Sequence, residues 1–202
     1  STVFRVFIIN DLITFQTNDK LFLYQNDKIK ILTTPYSYHL SFVVRDRFYI
    51  REPGKGLFRL DGDSLRFITG SERFATERIY AMLPYGSDEI LIATRTQGIL
   101  ILSPGDRDVF NKPDNFREVN EFLDKNPVYC GEILSNENYV LGTMTDGMIV
   151  FDSAGRINNH YNKGNGMQDN TILWLFCDRN EQLWAALDNG ISLVQDNLPF
   201  RY

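Results

Sequence analysis

Apolar residues along the chain fall in short runs separated by polar turns, a pattern that predicts β-strands rather than long helices. Five of these runs share one form, a turn residue followed by four largely apolar positions. They begin at Lys20, Gly56, Gly98, Gly147 and Gly190, so the steps between them are 36, 42, 49 and 43 residues. A period of about 40–45 residues is typical of the four-stranded blades of a β-propeller.

Three further runs accompany each of these units and complete the predicted blade. A second strand precedes each of these runs across a polar turn. The turns before Gly98, Gly147 and Gly190 end in Gly because a tight hairpin needs positive φ. These second strands are predicted at 12–15, 48–50, 90–94, 139–143 and 183–187. Nearly continuous apolar runs predict inner strands covered on both faces, at 6–9, 40–44, 79–83, 128–134 and 172–176. More polar runs predict outer edge strands, for example at 28–32, 64–68 and 156–161.

The predicted fold is therefore all-β, a propeller segment of about five four-stranded antiparallel blades. Residues 1–202 form a single propeller region, with blades at about 1–33, 34–70, 71–113, 127–163 and 164–202. The outer strand of the fifth blade would have to lie in the last few residues. We expect an arc of a larger ring or a ring completed by sequence outside this chain, with a closed five-bladed ring as the alternative.

The long third step has a visible cause, a short helical insertion at 114–126. Phe116, Val119, Phe122 and Leu123 recur there at helical spacing, with Asn115 and Glu118 placed as the N-cap residue and its partner. Pro127 ends the run. We expect a lid packed over a blade surface, with a partner-binding helix as the alternative.

Composition argues against two classes of function, nucleic-acid binding and membrane insertion. The chain carries 21 basic and 26 acidic residues, a net charge of −5, without a Lys/Arg cluster or an apolar run of membrane-spanning length. We therefore expect neither nucleic-acid binding nor membrane insertion by this region.

The two cysteines are predicted to be free thiols. Cys130 and Cys177 differ by four positions in blade register, which corresponds to a stagger of about 13 Å that a disulfide cannot span.

The last unit resembles the two-component regulator propeller repeat. The residues that carry the match are Gly166, Asn170, Ile172, Asp178, Leu183, Trp184 and Gly190. The unit departs from the repeat at Glu181–Gln182, where a turn Gly is usual, and at 185–187, where the repeat has Ile-Gly-Thr. The resemblance covers nearly the whole chain but is weak in the first two units.

This resemblance implies a periplasmic, non-enzymatic sensor region of a bacterial one- or two-component regulator, many of which come from Bacteroidetes. Such regulators place a triple-tyrosine sandwich, a membrane helix and a kinase or DNA-binding output after paired propellers, and residues 197–202 resemble the junction to the sandwich. Known ligands of the family are mostly glycan fragments. The implied partners are an oligosaccharide or other small molecule, the neighbouring propeller and sandwich domains, and a second copy in a homodimer.

Residues that could perform catalysis do not form a recognisable set. His39 and His160 lie in different units, and candidate carboxylates fall in polar turns, where Asp caps the chain locally. We expect no catalytic residue, no metal and no cofactor. Two alternatives stay open: a propeller enzyme acting on carbohydrate, which would need two carboxylates about 5–10 Å apart, and a protein-interaction scaffold.

An aromatic set is the candidate binding site. Tyr38, Tyr80 and Tyr129 each stand 18 residues before their anchor Gly, at the start of an inner strand. Three further residues are expected near the same end of the inner strands: His39, Arg78 and Trp174. Arg95 lies in a turn that is expected to open on the same face. Aromatic planes with converging polar groups are the usual chemistry of a sugar site. The alternative is that the repeated Tyr side chains only fill space between neighbouring blades.

Overall fold

A computed structural model describes residues 2–194, and its strands form five antiparallel sheets. The first sheet consists of β1 (Arg5–Ile9), β2 (Leu12–Gln16), β3 (Lys20–Gln25) and β4 (Lys28–Thr33). The second consists of β5 (Ser41–Val44), β6 (Arg47–Glu52), β7 (Gly56–Asp61) and β8 (Ser64–Phe67). The third consists of β9 (Ile79–Tyr85), β10 (Glu89–Thr94), β11 (Ile99–Ser103) and β12 (Val109–Asn111).

The last two sheets follow a short helical segment. The fourth consists of β13 (Val128–Ile133), β14 (Tyr139–Thr143), β15 (Met148–Phe151) and β16 (Ile157–Tyr161). The fifth consists of β17 (Ile172–Cys177), β18 (Leu183–Leu187) and β19 (Gly190–Val194). The α-helix α1 spans Arg117–Leu123, and single turns of 3₁₀ helix span Glu72–Ala75, Asp114–Phe116 and Lys163–Asn165.

Each sheet is a meander in which sequential strands are neighbours, as the repeat predicts. Four apolar cores join the sheets in series, the first to the second, the second to the third, the third to the fourth and the fourth to the fifth. The four-stranded antiparallel prediction is confirmed for the first four sheets. The predicted outer strand of the fifth blade, like the predicted junction at 197–202, lies outside the described residues.

The helical insertion packs as a lid, as predicted. Phe116, Val119 and Leu123 are buried in the core between the third and fourth sheets. The predicted N-cap is wrong, because Asp114–Phe116 forms a 3₁₀ turn ahead of the helix and Phe116 occupies the cap position. Glu118 Oε2 instead accepts a hydrogen bond from the backbone N–H of Ile157 at 3.2 Å, which ties α1 to the edge strand β16. No helix among residues 2–194 has the length and apolar character needed to cross a bilayer.

Both cysteines are free, as predicted. Cys130 is buried in the core between the fourth and fifth sheets, and Cys177 is half-buried at its margin. Burial raises the pKa of the Cys130 thiol to about 12. Because the thiolate is the reactive form, Cys130 is chemically inert at neutral pH.

The prediction that every inner strand is covered on both faces is wrong for the first and last sheets. Side chains at alternate positions of β1 and β17 are exposed: Val6 53%, Ile8 73%, Trp174 51% and Phe176 54%. No core cluster of the described residues joins the first sheet to the fifth. Among residues 2–194, each of these end sheets therefore presents an apolar face that no other sheet covers.

The open face of the first sheet is built like a blade interface. Two rows of paired side chains cross all four of its strands, Val6–Phe15–Phe22–Ile31 and Ile8–Ile13–Tyr24–Ile29. Paired aromatic and β-branched residues of this kind are the usual contact surface of a sheet. We refer to the gap between the open faces of the first and fifth sheets as the seam.

Adjacent residues on β1 test which face of the first sheet carries the packing. Ile9 is 7% exposed and Ile8 is 73% exposed. In the 202-residue chain, Ile9→Ala is expected to lower the free energy of unfolding by about 2–5 kcal/mol because it leaves a cavity. Ile8→Ala is expected to cost less than about 1 kcal/mol. Urea denaturation measures both, and equal losses would show that the seam is packed in solution.

Candidate ligand-binding site

β-bulges interrupt the inner strands of the third, fourth and fifth sheets near their first residues. The register of β9 passes from Ile79 to Ala81, that of β13 from Val128 to Cys130, and that of β17 from Ile172 to Trp174. The extra residues are therefore Tyr80, Tyr129 and Leu173. A bulge redirects a side chain that regular alternation would send into a core.

The second sheet has its bulge two residues further along the repeat. The backbone of Arg51 hydrogen-bonds to two successive residues, accepting from His39 N at 2.9 Å and donating to Leu40 O at 3.3 Å. Two residues opposite one is the count of a bulge, and Leu40 is the extra residue here. The bulged residue of this sheet is therefore Leu40 and not Tyr38.

All four bulged residues line one pocket on the ring axis, which we call the axial pocket. Its volume is about 270 Å³, and every sheet contributes to it. The lining residues are Arg5, His39, Leu40, Arg78, Tyr80, Tyr129, Leu173 and Trp174. A smaller cavity of about 60 Å³ shares Arg5, Tyr80 and Trp174 and continues along the inner strands.

Aromatic rings form one side of the axial pocket. The rings of Tyr80 and Tyr129 are 5.4 Å apart at an interplanar angle of 32°, and the His39 ring meets Tyr80 edge-on at 5.7 Å. Tyr129 is 37% exposed and Trp174 is 51% exposed, so both present ring surface to solvent. Such surfaces accept the apolar face of a sugar ring or another planar ligand.

Two arginines face this aromatic wall. The guanidinium of Arg5 lies 5.0 Å from the centre of the Trp174 ring, and its Nη1 donates to Ser41 O at 2.7 Å. Arg78 is exposed, and within residues 2–194 its guanidinium has no ion-pair partner. Burial lowers the pKa of Arg5, although an arginine stays charged at neutral pH.

A third arginine near the pocket has a structural role. Arg51 is 3% exposed, and its Nε donates to Phe74 O and Glu77 O, each at 2.7 Å. Its Nη2 donates to Ala75 O at 3.0 Å. These bonds fix the 3₁₀ turn between the second and third sheets, and the buried charge adds to the positive potential at the axis.

His39 is neutral at physiological pH. Burial, followed by the positive charges of Arg51, Arg78 and Arg5, lowers its pKa to about 4. Among the residues that the structure describes, its buried Nδ1 has no hydrogen-bond partner. A neutral imidazole beside two arginines leaves the charge of the pocket to the guanidinium groups.

The structure brings together five of the seven predicted site residues: His39, Arg78, Tyr80, Tyr129 and Trp174. Tyr38 is 5% exposed and packs in the core between the first and second sheets, and the bulge of the second sheet falls at Leu40, just before β5. Burial raises the pKa of Tyr38 to about 12. Arg95 is exposed in the turn after β10, where its backbone N–H donates to Arg78 O at 2.9 Å, and it does not line the pocket.

Sequence reasoning missed Arg5, Leu40 and Leu173. Arg5 lies within a regularly paired inner strand, opposite Gln16, so it has no counterpart among the bulged residues. Leu40 and Leu173 are apolar residues in apolar strands, and only the pairing registers distinguish them from core residues.

The turn of the fifth unit that matches the propeller repeat is held by protein donors. Asp178 accepts hydrogen bonds from Asn180 N at 2.8 Å, Gln182 N at 3.0 Å and Trp184 Nε1 at 2.8 Å. Glu181 adopts a φ of 63°, the left-handed conformation that Gly usually supplies at this position. Over residues 2–194, no three His, Cys, Asp or Glu side chains group as metal ligands would.

Comparisons with known proteins find similarity in structure only. No family model matches the chain, and no curated protein matches its sequence. The WD40 β-propeller domain of Doa1 has a TM-score of 0.67 at 11% identity, over 96% of this chain and 64% of that one. This chain has the β-propeller fold.

Two other structural neighbours are extracellular domains of signalling proteins from B. thetaiotaomicron. That of the hybrid two-component system BT3049 has a TM-score of 0.76 at 14% identity and covers 96% of this chain. That of BT4673 has a TM-score of 0.66 at 16% identity and covers 93% of this chain. The chain spans 27% and 26% of the length of these two domains.

The low pKa of His39 predicts a pH dependence of stability. An unfolded histidine has a pKa of about 6.5, and that of folded His39 is about 4, so the unfolded chain binds more protons between these values. The free energy of unfolding is therefore expected to fall as the pH drops from 6.5 towards 4. His39→Gln is expected to weaken this decline in urea titrations at pH 7 and pH 4.5. The control Tyr36→Ala, at an exposed ring away from the pocket, should keep the wild-type decline, and an equal decline in His39→Gln would contradict the prediction.

Proposed function

We propose that this chain is a ligand-sensing propeller in the extracytoplasmic part of a bacterial signal-transduction regulator and that it binds a glycan fragment in the axial pocket without catalysis. The observation that carries the proposal is the pocket itself, in which side chains released by four bulges converge with groups from all five sheets. The structural neighbours that are extracellular domains of B. thetaiotaomicron regulators support the cellular context.

The side chains that line the pocket favour binding over catalysis. A glycosidase needs two carboxyl groups on opposite sides of the scissile bond. Within the described residues, the wall of the axial pocket contains no Asp or Glu. An enzyme acting on carbohydrate is the second candidate, and release of reducing ends from soluble glycans during incubation with the protein would favour it.

The seam supports a route from binding to signalling. Arg5 and Trp174 line the pocket from the first and fifth sheets, and their cation–π contact spans the seam at its inner end. A ligand that touches both side chains favours the arrangement in which the two end sheets are close. A ligand shifts such an equilibrium only by its difference in affinity for the two arrangements.

The open faces support a larger assembly. The alternative to closure of the seam is a larger propeller in which further blades cover the apolar rows of the first sheet and the matching face of the fifth, and such blades would separate Arg5 from Trp174. The exposed residues of the fifth sheet include Trp174, Phe176, Ile191 and Leu193. Exposed apolar surface of this extent is characteristic of an interface.

A glycan-binding screen with matched tyrosine variants tests the site. Tyr129→Ala removes a partly exposed ring of the pocket. For any glycan that the wild type binds, this change is expected to weaken binding by about tenfold, since a packed aromatic pair contributes about 0.5–1.5 kcal/mol beyond its buried area. Tyr36→Ala removes an exposed ring outside the pocket and is expected to bind like the wild type. Isothermal titration calorimetry measures affinity, and thermal unfolding checks that both variants are folded. Lost stability with unchanged affinity in Tyr129→Ala would reject the axial pocket as the binding site.

A further inference from the structure

The charge of the axial pocket is opposite to that of the whole chain. The chain has a net charge of −5. The charged side chains that line the pocket are Arg5 and Arg78. The imidazole of His39, which also lines it, is neutral near pH 7. The positive potential is therefore local to the axis and does not follow from composition.

Two carboxylates on neighbouring segments, Glu77 and Glu52, are occupied elsewhere. Glu77, which lies close to Arg51, accepts hydrogen bonds from Thr96 N at 2.8 Å and from Thr96 Oγ1 at 2.5 Å. Glu52 accepts from Thr34 Oγ1 at 2.5 Å and pairs with Lys55 at 2.8 Å. In the part of the chain that the structure describes, neither Arg5 nor Arg78 has a carboxylate partner.

An uncompensated guanidinium that is partly withdrawn from water is costly unless an anion pairs with it. Arg5 has most of its side chain shielded, and among residues 2–194 the hydrogen-bond acceptor of its guanidinium is Ser41 O. An arginine has five N–H donors arranged to hold a carboxylate through two parallel bonds. Arg5 and Arg78 thus offer free donors to the interior of one pocket.

We propose that the axial pocket takes an anionic ligand of the sugar-acid class, a uronic acid whose carboxylate binds Arg5 and Arg78 while its ring packs against the aromatic wall of Tyr129 and Trp174. The volume of about 270 Å³ suits a ligand of one or two rings. The sugar part of this ligand rests on the function proposed above, whereas the anionic part rests on the two arginines. A neutral sugar would leave the guanidinium groups of Arg5 and Arg78 without an anion to pair with.

Three fluorescent probes that share one aryl group separate these parts. Methylumbelliferyl glucuronide carries the carboxylate and the sugar, methylumbelliferyl glucoside carries the sugar with a neutral hydroxymethyl group, and methylumbelliferyl sulfate carries an anion without a sugar. Fluorescence anisotropy with the full chain measures their affinities at low and at physiological salt. The glucuronide is expected to bind at least about tenfold more tightly than the glucoside, because its carboxylate accepts charge-assisted hydrogen bonds from the guanidinium groups.

Two exposed arginines provide a matched pair of variants. Arg78→Gln is expected to abolish the preference for the glucuronide, whereas Arg95→Gln, in the adjacent turn but outside the pocket, is expected to preserve it. Arg5→Lys, which keeps the charge and loses the paired donors, is expected to reduce the preference in part. Thermal unfolding of each variant identifies any loss of folding, and Arg78→Gln, at an exposed side chain, carries the decisive comparison.

The outcomes distinguish the two proposals. Equal binding of glucuronide and glucoside, or equal loss in Arg78→Gln and Arg95→Gln, overturns the anionic site and leaves the glycan proposal standing. Binding of the sulfate as tight as that of the glucuronide, lost in Arg78→Gln, supports the anionic site and counts against a sugar ligand. Failure of all three probes to bind overturns the anionic site.

Discussion

The breaking of strand alternation at the ring axis is the constraint on which this site depends. In a regular strand, side chains alternate between two faces, and in an inner propeller strand both faces belong to cores between sheets. Regular alternation would leave few side chains directed along the axis. A bulge inserts one residue that belongs to neither face. The four bulges lie near the same end of the inner strands, so the bulged residues line one pocket: Leu40, Tyr80, Tyr129 and Leu173.

The first sheet contributes a charged side chain to the pocket without a bulge. β1 pairs regularly with β2, and its contribution to the pocket is the long side chain of Arg5, which reaches Trp174 across the seam. The same strand has one apolar face in a core and one exposed, so it is held on one side only. The residues of the proposed site therefore lie beside the open faces of the end sheets. Under the proposed function, a bound ligand biases how these two sheets approach one another.

The sequence period predicted the sheets well because each blade repeats the same hairpin chemistry. Gly98, Gly147 and Gly190 all have the positive φ that their turns require, and the buried positions of the insertion follow its helical spacing. The N-cap at Asn115 was predicted wrongly because Glu118 is used by β16, a contact between elements that local pattern cannot reveal.

The candidate site was only partly predictable. Counting back from the anchor Gly located Tyr80 and Tyr129 correctly on the axis, since their units keep the bulge at the same repeat position. The same count placed Tyr38 in the site, although the second sheet has its bulge at Leu40 and Tyr38 turns into a core. Pairing register is set by three-dimensional contacts, so the position of a bulge within an apolar run is not visible from residue types alone.

Hydrogen–deuterium exchange with and without methylumbelliferyl glucuronide tests the central claim most directly, because it locates the bound ligand by backbone amides. The bulge-based site predicts that added protection is concentrated at residues 39–40, 78–80, 128–130 and 172–174, on four different sheets. Protection confined to the hairpin turns at 95–98, 144–147 and 188–190, or to the open faces of the end sheets, would contradict it.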